Sequence, residues 1–416
     1  MKIEIHPGKR FGSIVVPTSK SDAQRALIAA ALSNGTSTIK NSGTSDDERA
    51  VIQALKTLGV SVNQINTTTL QIEGLTFPKK AAVSVGESGL AARLMIGVLS
   101  CIGGEFEVYG TGTLLKRPLS LYRSFFTDSG IDFQSNDDFL PIHLTGKVNL
   151  ENLVFDGSQS SQYISGFLMG LPFLSESTSL IVENLVSKPY VDMTLSTMNA
   201  FGVAIETHDY KNFKLNNKSS YNATEYTIES DWSAASCWLV AAALGADIQL
   251  KGLSMSSKQA DIQILRALKR ANCKLLSTDE CIEIDGSTRV PFEFDATDCP
   301  DLFPALATLA AFTAGLSSIK GVNRLATKES SRGEVLRSEF AQLGINIELQ
   351  NDYMLIHGKS KVNGGTVSSH HDHRIAMCFA IAGMFASDPI TIEHAEAVSK
   401  SYPEFWEHFN HLKIKM

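Results

Sequence analysis

A stretch of helical character that ends at glycine, then an apolar strand, a polar turn and a second strand, recurs along this chain. It first runs from Leu55-Lys56-Thr57-Leu58-Gly59-Val60 to Leu70-Gln71-Ile72-Glu73-Gly74. It returns around Gly130, with Leu140 to Leu144 as its second strand, around Gly202 and around Gly344. Asn272 takes the glycine's place in a further copy, and asparagine is the other residue that tolerates a left-handed helix end. The five positions follow one another at intervals of 71, 72, 70 and 72 residues, a period that chance would not hold.

A second series is offset from the first. Six short, almost wholly apolar stretches read as helices: Ala26–Leu32, Ala91–Cys101, Ile164–Leu174, Ala234–Leu244, Leu302–Ala314 and Ile375–Ala386. Apolar on every side, they belong inside a core. The other helix of each period is amphipathic, as in Asp261-Ile262-Gln263-Ile264-Leu265-Arg266-Ala267-Leu268. Each period thus predicts strand, buried helix, strand, surface helix and hairpin, a βαβαββ-type unit. Six units fill the 416 residues. The fold class expected is α/β, in two domains of three units, each with three buried parallel helices. The sixth hairpin is missing, and the strand Lys2–His6 can supply its pairing. That places both chain ends in one domain, residues 1–20 plus 230–416, with residues 21–229 forming the other.

The residues just before each buried helix carry the chemistry. They are Ser19-Lys20-Ser21-Asp22-Ala23-Gln24-Arg25, Gly86-Glu87-Ser88-Gly89, Asp156-Gly157-Ser158-Gln159-Ser160-Ser161-Gln162, Glu229-Ser230-Asp231-Trp232-Ser233, Asp295-Ala296-Thr297-Asp298-Cys299-Pro300-Asp301 and His370-His371-Asp372-His373-Arg374. Serine, aspartate and glycine there are ordinary helix caps. Lys20, Arg25, Arg93 and Arg374 are not, because a cation in a first turn opposes the helix dipole. They make sense where an anion sits, drawn by the dipole and the free N–H groups. If the six helices point the same way, these clusters converge on a cleft between the domains. Further cations stand at Lys116-Arg117-Pro118, Lys328-Glu329-Ser330-Ser331-Arg332 and Lys400. Lys328 and Arg332 also fit a plain solvated i,i+4 face. His371 and His373 lack companion ligands at metal spacing, so no metal is expected, and Arg374 beside them suits a carboxylate or phosphate better.

Composition narrows the class. Hydrophobic residues make up 43% and charged residues 19%, as in a globular protein, and the net charge of -7 disfavours a nucleic-acid binder. The six cysteines show no metal or paired spacing, the N-terminus has no apolar signal core, and the longest apolar runs are too short for a bilayer. A cytoplasmic protein with no membrane partner follows.

These motifs resemble those of the 5-enolpyruvylshikimate-3-phosphate synthases. The resemblance lies in Ser19-Lys20-Ser21 with Arg25-Ala26-Leu27, Lys116-Arg117-Pro118, Ser160-Ser161-Gln162, Ser187-Lys188-Pro189-Tyr190, Pro300-Asp301, Lys328-Glu329 with Arg332, Asp372-His373-Arg374 with Ala376-Met377, and Lys400. They stand in the family's order across nearly the whole chain. The resemblance implies two inside-out α/β domains closing on substrate. It also implies transfer of the enolpyruvyl group of phosphoenolpyruvate to the 5-hydroxyl of shikimate 3-phosphate, with release of phosphate. On that basis Lys20, Ser21, Arg25, Ser160, Ser161, Gln162, Ser187, Tyr190, Asp301 and Lys328 would hold shikimate 3-phosphate. Lys20, Gly89, Arg117, Gln162, Arg332, Arg374 and Lys400 would hold phosphoenolpyruvate. Asp301 would take the hydroxyl proton, and Glu329 with Lys20 would move protons at the enolpyruvyl carbons. No cofactor and no second subunit are expected.

The pattern departs from the family at Gly86-Glu87-Ser88-Gly89-Leu90-Ala91-Ala92-Arg93-Leu94, where Gly89 and Arg93 remain but Glu87, Leu90 and Leu94 differ. An acid there needs a partner. Arg324 replaces an asparagine and carries no role over. The UDP-N-acetylglucosamine enolpyruvyl transferases, the nearest rival, place a Cys-Gly pair in a loop, whereas Cys101 ends a buried helix. A non-catalytic sensor of phosphorylated metabolites would not need Asp301 and Glu329, and an RNA-end cyclase would need a histidine motif absent here.

Overall fold

The computed structural model describes residues 1–74, 77–127, 129–149, 154–174, 179–215, 219–278, 281–326 and 328–414. Contacts divide the chain into two compact units, Thr18–Glu229 and Met1–Pro17 with Ser230–Met416. The sequence pattern put residues 1–20 with the C-terminal half. The division falls three residues earlier because Ser19 donates its N–H to Glu229 O at 2.8 Å and caps the first buried helix.

In the unit Thr18–Glu229 the described strands form three four-stranded sheets. Each has one parallel pair followed by an antiparallel hairpin. Lys80–Ser84 runs parallel to Gly104–Tyr109, which is antiparallel to Phe139–Gly146, itself hairpinned with Ile131–Asn136. Val154–Asp156 opens the next sheet in the same way, against Ser179–Glu183. The first sheet closes on a distant strand, with Glu225–Thr227 parallel to Gly35–Lys40.

The other unit repeats the plan. Glu293–Asp295 and Gly365–Ser368 run parallel to Gly315–Lys320 and Ile390–Glu393. Arg10–Val15 runs parallel to Asp247–Lys251. Lys2–Ile5 pairs antiparallel with Ile390–Glu393, filling the place of the absent sixth hairpin.

The six apolar stretches are the buried helices Lys20–Leu32, Gly89–Ile102, Ser161–Gly170, Trp232–Leu244, Phe303–Ala311 and His373–Phe385. The third ends at Gly170, where the chain tightens into the 3-10 turn Leu171–Phe173 around Pro172. The fifth begins after the 3-10 turn Pro300–Leu302 and stops at Ala311. All thirteen residues of Trp232–Leu244 are buried. The glycine-ended helices close as their spacing predicts. Gly59, Gly130, Gly202, Asn272 and Gly344 all have φ between +60° and +86°. Val60 N–H reaches Leu55 O, and Cys273 N–H reaches Leu268 O, the bonds of a left-handed C-cap.

Glycine matters a second way inside the helices. A Cβ on Gly97 would lie 2.4 Å from the Gly166 carbonyl carbon, and one on Gly166 would lie 2.4 Å from Arg93 O. The second and third buried helices therefore touch backbone to backbone, which draws their N-terminal ends together.

Candidate active site

Five of the six buried helices start with the side-chain caps their sequences predict: Ser19, Ser88, Ser160, Asp231 and Asp372. The fifth has no such cap, and Asp301 is spared for other work.

In the unit Thr18–Glu229 the helix starts gather cations. Ser88 Oγ lies 3.1 Å from Gln24 Oε1, joining the first and second starts. Lys20 Nζ, nearly buried, lies 2.9 Å from Asp47 Oδ2. Arg25 is only 1% exposed. Its guanidinium donates to Thr194 Oγ1 at 2.8 Å, Ser21 O at 2.7 Å and Tyr190 O at 3.2 Å, all neutral acceptors. Burial pulls its pKa down to about 10, against partial support from Asp22.

Gly89 opens the second helix, and a Cβ there would lie 2.7 Å from Arg117 Nη1 and 3.0 Å from Arg93 Nη1. Two guanidinium groups thus approach one point that only glycine leaves clear. Arg93 also donates to Gly89 O at 2.8 Å and stacks over Tyr163, 4.9 Å from the ring centre. Glu87 accepts from Thr113 Oγ1 at 3.3 Å, which ties the helix start to the 3-10 turn Gly112–Lys116 that delivers Arg117. Ser161 and Ser187 are buried, while Ser21, Ser160, Gln162 and Tyr190 are half-buried in the same unit.

In the other unit, cations and carboxylates interlock. Arg332 is wholly buried and meets three acids. Its Nε and Nη2 grip Asp372 at 2.9 and 3.2 Å, Nη1 reaches Asp301 at 2.9 Å, and Nη2 reaches Glu329 at 2.8 Å. Asp301 also meets Lys328 at 3.3 Å and Arg374 at 3.3 Å. Burial would push the Asp301 carboxyl up, but Lys328, Arg374 and Arg332 together hold it well below the usual range. Burial lowers Lys328 despite Asp301. Arg374 stays above the ordinary arginine value because Asp301 and Asp261 outweigh its burial. Lys400, buried, ends the 3-10 helix Ala395–Lys400.

Lys328 and Arg332 do not share a solvated helical face. The surface helix starts at Arg332, and the two residues meet through Asp301 instead. His373 is buried within the sixth helix, apart from any solvent face.

Three contributors escaped the sequence reading. Asp47 sits in the acidic first turn of Asp46–Thr57, a helix whose capping box was the available signal. Asp372 reads as a cap and is one, yet it also holds Arg332. Asp261 is buried, accepts a short hydrogen bond from Ser233 Oγ, and is pushed up to about 6 by burial, with Asp301 adding and Arg374 opposing.

The whole-chain comparison decides the family. The model for EPSP synthase (3-phosphoshikimate 1-carboxyvinyltransferase) matches residues 6–409. The chain belongs to the EPSP synthase family. Proteins named 3-phosphoshikimate 1-carboxyvinyltransferase from Clostridium kluyveri and Clostridioides difficile are 37% and 36% identical to it. Each match covers 99% of this chain and 97% of the relative. The fold agrees with a solved EPSP synthase from Acinetobacter baumannii, with a TM-score of 0.82 and 28% identity over the full length of both chains. Among the described residues, no helix is long and apolar enough to cross a membrane.

Proposed function

We propose that this chain transfers the enolpyruvyl group of phosphoenolpyruvate to the 5-hydroxyl of shikimate 3-phosphate, releasing phosphate, on the shikimate route to chorismate and the aromatic amino acids. The full-length likeness to proteins bearing that activity's name carries the reading. The two clusters supply what the chemistry needs. Both substrates are multiply anionic and repel one another, and buried Lys20, Arg25, Arg117, Arg332, Arg374 and Lys400 offset that repulsion in a low-dielectric setting.

In this reading both clusters serve one pair of substrates. Lys20, Ser21, Arg25, Ser160, Ser161, Gln162, Ser187, Tyr190, Asp301 and Lys328 hold shikimate 3-phosphate. Lys20, Gly89, Arg117, Gln162, Arg332, Arg374 and Lys400 hold phosphoenolpyruvate. Asp301 accepts the proton of the 5-hydroxyl as its oxygen bonds to C2 of phosphoenolpyruvate. Glu329, with Lys20, delivers a proton to C3, giving a tetrahedral intermediate. The same pair removes a proton from that methyl group as the C2–O bond to phosphate breaks. No cofactor takes part, and the chain acts as a monomer. Its cysteines are free thiols, which fits a reducing cytoplasm.

Purified protein should release phosphate only when both substrates are present. Tight binding of both with no release would sink the reading and leave a metabolite sensor. Glu329→Gln should cut kcat by about 10²–10⁴ with little change in binding. Equal losses in both would remove Glu329 from proton transfer.

A further inference from the structure

Next in sequence to residues of the second cluster, three groups with metal-ligating chemistry meet on the unit formed by Met1–Pro17 with Ser230–Met416. The ligand atoms of His371, His394 and Glu396 all lie within 4.8 Å of one another. The two imidazole rings face each other, with centres 4.0 Å apart and planes tilted by 39°. Glu396 turns one oxygen to the Met1 amine at 2.6 Å and the other to His394 Nδ1 at 3.8 Å.

This meeting is built by the backbone rather than left to mobile side chains. His371 and His394 both sit in the left-handed region, with φ of 58° and 55°. Ser369, fully buried, bridges their turns. Its Oγ accepts the His371 N–H at 3.2 Å and donates to His394 O at 2.9 Å. Ala395 N–H donates to Met1 O at 3.1 Å, which pins the chain start against the same turn.

We propose that His371, His394 and Glu396 form a three-ligand site for a divalent transition ion of the zinc class. Two imidazoles and one carboxylate suit such an ion and do not suit magnesium or calcium, which prefer oxygen. Ligands on a tetrahedral zinc stand about 3.4 Å apart at ordinary bond lengths. Small rotations of these side chains cover the difference from the present spacing. The fourth position would be left to water. The site's place gives it a consequence. His371 immediately precedes Asp372-His373-Arg374, and His394 opens the turn that ends at Lys400. One ion would join the two turns that carry Arg374 and Lys400 and stiffen both. Spacing alone argued against a metal at His371, because its partners His394 and Glu396 lie beyond an entire buried helix and strand.

The test uses the untagged full-length chain with zinc chloride alone, and needs no turnover. Calorimetric titration should show one ion per chain. His371→Asn with His394→Asn should weaken binding by roughly tenfold or more; asparagine keeps the left-handed turns, so the fold should persist. His370→Asn and His357→Asn, whose rings pair with Glu339 and Glu348, should bind zinc as the wild type does. Zinc should also slow amide exchange at residues 369–374 and 394–400 in the wild type and both controls, but not in the double variant. Wild-type protein that binds no better than the double variant would overturn the proposal. So would controls that lose as much. Neither outcome touches the reaction proposed above.

Discussion

Arg25 offers the sharpest test of the idea that the helix starts are built for anions. It is a buried cation whose hydrogen-bond acceptors, Thr194 Oγ1, Ser21 O and Tyr190 O, are all neutral. Burial brings its pKa from 12.5 to about 10, so the folded protein holds the charged form at a disadvantage. That difference corresponds to about 3 kcal/mol. The sign follows from the direction. The folded value lies below the unfolded one, so the cost is present throughout neutral pH and is relieved only as pH rises from about 10 towards 12.5. Arg25→Met keeps most of the volume and removes the charge. Thr194 Oγ1 retains Ser165 Oγ at 2.8 Å and Tyr190 O at 3.0 Å, and Asp22, which loses a nearby cation, keeps Tyr226 Oη at 2.8 Å and the Glu229 N–H at 3.0 Å.

Ligand-free Arg25→Met should therefore unfold in urea at the same stability as the wild type, or up to about 3 kcal/mol higher. Saturating shikimate 3-phosphate acts in the opposite direction. At a hundred times its Kd the ligand adds about 2.7 kcal/mol to the wild type, and it should add almost nothing to the variant. Urea melts with and without ligand read both numbers. A ligand-free variant weaker than wild type by more than about 1 kcal/mol would mean that Arg25 stabilises the empty fold, and the reasoning would fail.

Asp372→Asn keeps a capping oxygen and should fold, whereas Asp372→Ala leaves Arg332 short of a buried partner and should cost about 3–5 kcal/mol in a chemical melt. Gly89→Ala brings a methyl to within 2.7 Å of Arg117 Nη1; the KM for phosphoenolpyruvate should rise while that for shikimate 3-phosphate stays near its wild-type value. Asp301, held low by three cations, contributes stability that is fully present above the ordinary carboxylate pKa and lost as pH falls below it. Asp301→Asn should flatten that acid loss in melts taken down the pH scale, and an unchanged slope would contradict the assignment.

Much of the architecture could be read because period and cap chemistry are local properties. Five left-handed helix ends, one of them Asn272, announce the repeat without reference to any distant residue. Apolar composition alone located the six buried helices but not their bounds: the first starts earlier, at Lys20, the third runs from Ser161 and gives way to a 3-10 turn around Pro172, and the fifth stops at Ala311 rather than Ala314. Partners were harder. Arg332 was legible as a cation with Glu329 three residues before it, but its burial against Asp301 and Asp372 joins residues that neither spacing nor pattern relates. Asp47 and Asp261 read as ordinary acids on amphipathic helices, since what distinguishes them is the depth to which the fold takes them. Strand exchange was invisible for the same reason. Nothing near Arg10–Val15 says that it pairs with Asp247–Lys251 while Glu225–Thr227 pairs with Gly35–Lys40.

Asp301 poses an apparent contradiction whose resolution ties the cluster to its proposed chemistry. A carboxylate pressed by Arg332, Lys328 and Arg374 is a weak proton acceptor. Those cations are also the groups proposed to receive the phosphate and carboxylate of the substrates. Each anion that arrives draws positive field away from Asp301 and brings negative charge near it. Both effects raise its proton affinity, while the burial that already pushes it upward remains. On these proposed roles, the base is weakest in the empty protein and strengthens as the substrates assemble around it. Arg332 fits this scheme better as the rigid centre than as a free arm, because its grip on Asp372 anchors it to the helix start that also positions Arg374. The excess of acids around one arginine, puzzling in an anion site, is what keeps that arginine fixed while Lys328 and Arg374 exchange Asp301 for substrate.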